Sequence, residues 1–272
     1  MNIRNRHMSD HGLTLLELLV ALVITGIITT AILHTYIIQH KNYLIQEDIT
    51  EIQQNARASI DELARQVRMA GYNLPLGMPG IEAANTNPDT LTIRYNAGGC
   101  DTELRLPMPR TSSELKVDTA TNYTCYNDGD WVYIWEPDSG YGQWIEITHV
   151  QPSANKLQHN TVLLLDEYGA GSQIMDLTQV KFYIDNTTDA DHPNLMMEFP
   201  GMPPQVYADN ISDLQFSYRM SGGAVVDNPV PVDDIREVLI SVRGRSNVPD
   251  PDFPDNPYRQ RDFATSVFVR NM

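Results

Sequence analysis

Glu17 is the one charged residue in an apolar run that extends from Leu13 to Leu33, and Gly12 stands directly before that run. A carboxylate held at bilayer depth costs about 2.5–3.5 kcal/mol on insertion scales. If the run crosses a membrane, Glu17 therefore needs a cation, and the amino terminus of a second subunit is one that could reach it. A small residue at the front of such a run suits cleavage at that point. An ordinary signal peptide has a shorter apolar region, about 7–15 residues, followed by a small-residue cleavage site. Here the run is longer, no A-x-A site follows it, and amphipathic sequence continues without a break. A plain signal anchor is the alternative, and it would leave Gly12 and Glu17 without a role.

Other residues able to do chemistry are scattered. Of the seven histidines, His7 and His11 precede the apolar run and His34 ends it, leaving His40, His149, His159 and His192 without metal-ligand spacing. Ser172 lies in GAGSQ, which is not a nucleophile elbow, and the glycines of GYGQW, Gly140 and Gly142, lack the strand-turn-helix context of a dinucleotide site. Turn residues are the expected reading for all three. Two acidic loops, with Asp185, Asp189 and Asp191 in one and Asp250, Asp252 and Asp255 in the other, are weak calcium candidates. Calcium takes six to eight oxygens, but neither loop has the EF-hand spacing or its distal glutamate. No other cofactor is expected. Trp131, Trp135, Tyr141 and Trp144 could form a ligand platform if exposed, or pack a core.

The elements that would position these groups begin with a long helix. Past the apolar run, Ile38, Ile45, Ile49, Ile52, Ala56, Ile60, Leu63, Ala64 and Val67 recur at helical spacings on a charged background. From Thr14 to Ala70 this predicts a helix of roughly 85 Å at 1.5 Å per residue, stopped by Gly71, with Gly26 a place to bend. Residues 72–90 carry Pro75, Gly77, Pro79, Gly80 and Pro88 and read as a connector.

Strand-like segments follow at 91–95, 131–135, 144–150, 156–165, 180–184, 195–199, 214–218, 238–242 and 266–269, short and rich in β-branched and aromatic residues. The alternation of Val180, Phe182 and Ile184, and of Leu214, Phe216 and Tyr218, predicts sheets with one buried face, hence a mainly antiparallel head. With 272 residues and one membrane segment, about 200 residues are left for one sizeable domain. The formal charge of −16 disfavours nucleic-acid binding by that head.

The stretch GLTLLELLVALVITGIITTAIL resembles the class III signal of type IV prepilins, in which a peptidase cuts after the glycine. The resemblance implies cleavage after Gly12, Leu13 as the first mature residue, methylation of its amino group, and Glu17 as the fifth residue pairing with the amino terminus of a neighbouring subunit. QVRMAGY at 66–72, DNISDLQFSY at 209–218, IREVLISV at 235–242 and VFVRN at 267–271 resemble the helix end and last strands of PilW-like minor pilins and J-type pseudopilins. Leu13 departs from the commoner phenylalanine. The head is larger than a typical major pilin's, which points to a minor subunit.

On this reading the chain is an α+β, pilin-like protein: leader 1–12, membrane and filament-core helix 13–38, amphipathic helix 39–71, and β-rich head 72–272. It is a non-enzymatic subunit that helps prime or cap a pilus-like filament, the alternative being a signal-anchored periplasmic enzyme or binding protein. Implied partners are a prepilin peptidase, other minor and major pilins or pseudopilins, and the inner membrane. Arg4 and Arg6 before the run, with Glu47, Asp48 and Glu51 after it, place the leader in the cytoplasm and the head in the periplasm. Cys100 and Cys125 would then lie in an oxidising compartment, where two thiols have one intramolecular pairing.

Overall fold

The computed structural model describes residues 14–160, 164–250 and 258–271. Its first element is a 55-residue helix, α1 (Leu15–Met69). The chain divides after Thr50 into two compact units, so α1 contributes to both.

In the first unit α1 is exposed at every position from Leu15 to Leu44, including Leu15, Leu22 and Ile27. Threonine is a poor helix former because its hydroxyl competes for backbone partners. Here the competition is resolved inside the helix: Thr25, Thr30 and Thr35 each donate to the carbonyl four residues back at 2.8–2.9 Å. A hydroxyl satisfied in this way can face lipid without an unpaired polar group.

In the second unit, burial of the helix begins at Ile52 and continues through Ala56, Ser59, Leu63, Ala64, Gln66 and Val67. The expected stripe is therefore covered only in its second half, from Ile52 on. Gly71 lies just past the helix end with φ of 77° and donates its N–H to Arg94 O at 3.0 Å.

Among the described residues fifteen strands follow. Before residue 100 come β1 (Ile81–Ala84) and β2 (Thr90–Tyr95). A middle block holds β3 (Asp101–Glu103), β4 (Glu114–Lys116), β5 (Trp131–Glu136), β6 (Tyr141–Gln151), β7 (Lys156–His159) and β8 (Gln173–Met175). The last block begins with β9 (Thr178–Asp185), β10 (Asn194–Glu198), β11 (Gln205–Ala208) and β12 (Ile211–Met220). It ends with β13 (Val225–Val226), β14 (Ile235–Arg245) and β15 (Gln260–Phe268).

The described strands form three antiparallel sheets, with orders β1-β2-β9-β10-β11, β13-β12-β14-β15 and β3-β8-β5-β6-β7-β4. The fold is thus α+β, a long amino-terminal helix with mainly antiparallel sheets in a pilin-like arrangement. Two expectations need correction. Residues 81–84, inside the supposed connector, form β1 and pair with β2. The segment expected as one strand over 156–165 ends at His159. Leu164 instead turns inward as a fully buried side chain, its N–H bonded to Arg110 O at 3.0 Å, because filling the core outweighs continuing the ladder.

The main core lies between the second half of α1 and the first two sheets. Ala56, Leu63, Ala64 and Val67 meet Leu91, Ile93, Val180 and Phe182 from one sheet and Leu214, Phe216, Val238 and Ile240 from the other. Alternate residues of β9 and β12 point into it, as period-two burial requires. Small residues let the helix come close. A side-chain carbon added at Gly244 of β14 would sit 2.8 Å from Ile52 Cγ2 and 3.4 Å from Ile52 O. Leu63 is completely buried in this core, and truncating such a leucine to alanine costs about 2–5 kcal/mol.

Residues between β2 and β9 form a second, separate core. β2 and β9 pair directly in the first sheet, so everything between them is an excursion from its edge-to-edge path. The six-stranded sheet made by that excursion nearly closes on itself: Leu104 beyond β3 bridges Val117 beyond β4, and Arg105 N–H donates to Lys116 O at 2.8 Å. Its interior is filled by Val132, Ile134, Ile145, Ile147, Leu157, Tyr168 and Ile174. A smaller cluster of Met78, Tyr133, Trp135, Met175 and Leu177 packs the sheet's other face.

Candidate functional site

The start of α1 carries the residues that the apolar run singled out. Gly12 and Leu13 lie outside the described residues. Glu17 sits in the first turn, fully accessible, and its Oε2 accepts from Thr14 N–H at 2.8 Å and from the Thr14 hydroxyl at 2.9 Å. Thr14 Oγ1 in turn accepts from Glu17 N–H at 3.3 Å. This is a capping box, in which a threonine and a glutamate three residues later satisfy each other's orphan donors. Sequence reasoning missed it, although T-x-x-E before an apolar run is its signature. Among the described residues both acceptances use Oε2, so Oε1 is left for a further donor. The carboxylate therefore does two things at one place: it starts the helix and presents a negative charge on an exposed apolar rod.

The motifs quoted at the two ends of the head come together. β12, β14 and β15, which hold the carboxy-terminal segments, are neighbours in one sheet. Asn271 then reaches the end of the helix, its Nδ2 lying 3.4 Å from Arg68 O and 3.5 Å from Ala70 O. An amide there satisfies carbonyls that the last helical turn leaves unpaired. The last residues of the chain thus close the same helix that QVRMAGY ends.

Cys100 and Cys125 are joined by a disulfide with Cα atoms 5.8 Å apart. It ties the entry of the inserted six-stranded sheet to the turn before β5.

The first acidic loop is occupied by its own backbone and hydroxyls. Asp185 Oδ1 accepts from Thr187 N–H at 2.9 Å, the Thr187 hydroxyl at 2.8 Å and Thr188 N–H at 3.1 Å. The Thr188 side chain, which contributes most, and these bonds together hold the Asp185 carboxyl well below the usual range. Asp189, beside the His192 ring at 2.9 Å, is lowered for the same kind of reason. Asp191 offers its carbonyl to the Arg245 guanidinium. Asp250 is buried and bonded to Arg259 Nε at 2.9 Å, while Asp252 and Asp255 lie outside the described residues. Among the described residues no three His, Cys, Asp or Glu side chains converge to hold a metal, so the calcium suggestion gains no geometric support.

The groups weighed for enzymatic chemistry are apart from one another. Ser172 is buried with its hydroxyl 2.7 Å from both Glu136 Oε2 and Gly169 O, holding a turn. Gly140 and Gly142 belong to the β5–β6 hairpin, where Glu136 pairs with Tyr141. His149 lies 3.2 Å from Asp128 at the surface, and His159 is buried, where loss of solvent pushes its pKa down.

The four aromatics separate. Trp135 is buried with Met78 and Met175, and Tyr141 stacks at an angle on Tyr168 beside the second core. Trp131 and Trp144 share one cleft with Gln179, Lys181, Glu198 and Gly201.

Residues 7–33 match the family model of the prokaryotic N-terminal methylation motif. No curated protein matches this chain. The match spans the amino-terminal segment alone, and it bears out a type IV prepilin-like signal on the chain, the mark of a pilin- or pseudopilin-type subunit that is processed and assembled with others.

Proposed function

We propose that the chain is a minor pilin or pseudopilin, a non-enzymatic subunit of a type IV pilus-like filament that is cut after Gly12 and acts in priming or capping assembly. The observation that carries this reading is the coincidence of the matched signal with a helix that leaves its apolar residues uncovered from Leu15 to Leu44. A soluble protein does not leave so large an apolar surface to water, and such surfaces mark membrane or protein contact. Lipid covers the run in the stored subunit; neighbouring helices cover it in the filament. Glu17 makes the exchange selective, because a carboxylate passes from lipid into an equally apolar filament core at a gain only where it meets a cation, here the Leu13 amino group of an adjacent subunit.

The minor rather than major role is supported by the head. Residues 96–177 insert a second, nearly closed sheet with its own core into a pilin-like layout, which adds bulk that every subunit of a close-packed shaft would have to accommodate. The resemblance of 66–72, 209–218, 235–242 and 267–271 to PilW-like minor pilins and J-type pseudopilins supports the same assignment, as does the bonding of Asn271 to the end of α1. Arg4 and Arg6 before the run support an inner-membrane protein with a periplasmic head.

Processing tests the reading. Intact-mass measurement of membrane protein from a host with an active prepilin peptidase should give a chain that begins at Leu13, methylated at its amino group. Gly12→Val should abolish cleavage by filling the small-residue position. Retention of Met1 in the wild-type protein under those conditions overturns the assignment.

A further inference from the structure

The cleft that holds Trp131 and Trp144 lies at the junction of two sheets of the head. One wall is the aromatic face of β5 and β6. Along β5, residues 131, 133 and 135 point to the same side, and the side chains pass from Trp135 and Tyr133, buried in the small cluster, to Trp131, which is 38% exposed. Trp144 stands edge-on to Tyr133 with ring centroids 5.2 Å apart, which fixes its plane. Its indole N–H is buried without a hydrogen-bond partner among the described residues.

The other wall is the polar face of β9 and β10. Gln179 is held by Arg94 Nε, 2.7 Å from its Oε1, which leaves its amide N–H groups to donate. Lys181 and Glu198 face each other across the ladder at 3.5 Å, and the Lys181 ammonium lies 5.1 Å from the Tyr183 ring centre. Beyond Glu198, Gly201 packs directly on the Trp131 indole, so closely that any side chain there would displace the ring. The cleft encloses about 250 Å³.

We propose that this cleft binds a neutral pyranose ring of an oligosaccharide. The chemistry of both walls selects it. An aromatic face without a charge partner attracts the C–H side of a sugar ring and excludes water from it. Across from it, a lysine, a glutamate and an amide offer donors and acceptors side by side, which suits vicinal hydroxyls that both give and take hydrogen bonds. The facing Lys181 and Glu198 charges cancel, so neither an anion nor a cation is favoured. The volume falls just short of the roughly 300–1,000 Å³ of drug-sized pockets, as expected for one ring of a longer chain. The partial exposure of Trp131 is also accounted for: a large aromatic ring in a well-packed head is left at a rim with a glycine cleared beneath it. None of the lining residues belongs to α1 or to the matched signal.

The experiment uses the full chain in phospholipid nanodiscs free of glycoside detergents. Isothermal titration with the neutral trisaccharides maltotriose, cellotriose and triacetylchitotriose is compared with titration by acidic sialyllactose. Saturable binding of at least one neutral sugar is expected, in the millimolar range that such small ligands reach. Trp131→Ala should weaken it about tenfold, the scale of one lost aromatic contact, and Trp131→Tyr should restore most of it. Lys181→Met and Glu198→Gln, at half-buried positions outside the apolar cores, should each weaken it as well, with the circular dichroism spectrum of each variant expected to match the wild type. No saturable binding of any neutral sugar, binding of sialyllactose alone, or unchanged affinity in Trp131→Ala overturns the proposal. A failure here leaves the processing test untouched, so the two readings fall separately.

Discussion

Replacing Glu17 with glutamine, rather than alanine alone, separates the two things its carboxylate does. In the structure Oε2 caps the helix through Thr14 at 2.8 and 2.9 Å. A glutamine keeps that function, since capping boxes accept Glu or Gln at this position. Losing the cap costs about 0.5–2 kcal/mol, a loss that Glu17→Ala suffers and Glu17→Gln does not. The charge is different. If Glu17 meets a neighbour's amino group inside the filament, removing it leaves that cation buried and unpaired, at a cost of about 3–5 kcal/mol. At about 1.4 kcal/mol per factor of ten, this lowers incorporation by roughly two to three and a half orders of magnitude in both variants. Insertion into the membrane should be at least as good as in the wild type, because an intramembrane charge is gone. The assay expresses the three proteins at equal membrane levels, shears the cells and measures this subunit in the filament fraction. Both variants should be nearly absent from it. Wild-type incorporation of Glu17→Gln with loss in Glu17→Ala would assign Glu17 to helix capping and refute the pairing argument.

The other predictions concern the head. Cys100 and Cys125 are 25 residues apart, so closing their loop should stabilise the head by about 3–4 kcal/mol in the chain-entropy model; Cys100→Ser should lower the urea midpoint accordingly, and a change below about 1 kcal/mol would contradict the model. Gly244→Val should cost about 1–3 kcal/mol by driving a methyl group into Ile52, and Ile52→Ala in the same chain should recover part of that loss in a double-mutant cycle. Burial holds the His159 imidazole below its ordinary pKa of 6.5, so the unfolded chain takes up the proton first as pH falls. Stability should therefore be full above pH 6.5 and decline as pH drops through the lowered folded pKa; thermal melts of His159→Gln should lack that part of the decline.

Much of the arrangement was legible in the order of residues, for reasons that lie in local chemistry. The repeat of Ile52, Ala56, Leu63 and Val67 has the helical period, and Val180, Phe182 and Ile184 have the strand period, so each element and its inward face could be read before any contact was known. Glu17 announced itself because a lone carboxylate in an apolar run has an energetic cost that needs a reason. What was not legible fell into two kinds. Short strands such as β1, β3, β4 and β8, three or four residues each, carry too little pattern to stand out, and they exist because a neighbouring strand offers them a ladder. The cleft was only half visible: Trp131, Trp135, Tyr141 and Trp144 drew notice as a group, but Gln179, Lys181 and Glu198 gave no signal, being ordinary polar positions on the outer faces of β9 and β10.

Order of residues alone fixed the long helix, its signal and the antiparallel character of the head, because each depends on periodicity or on the intrinsic chemistry of a few adjacent residues. Tertiary structure alone decided how far the helix is covered, that residues 96–177 build a second core, and which aromatics stay at the surface. Those outcomes depend on which distant segments compete for the same apolar surface. Trp135 found Met78 and Met175 and was buried, whereas Trp131, two residues further out on the same face than Tyr133, ran past the edge of that cluster and stayed at the rim of a polar-walled cleft with Gly201 against its ring.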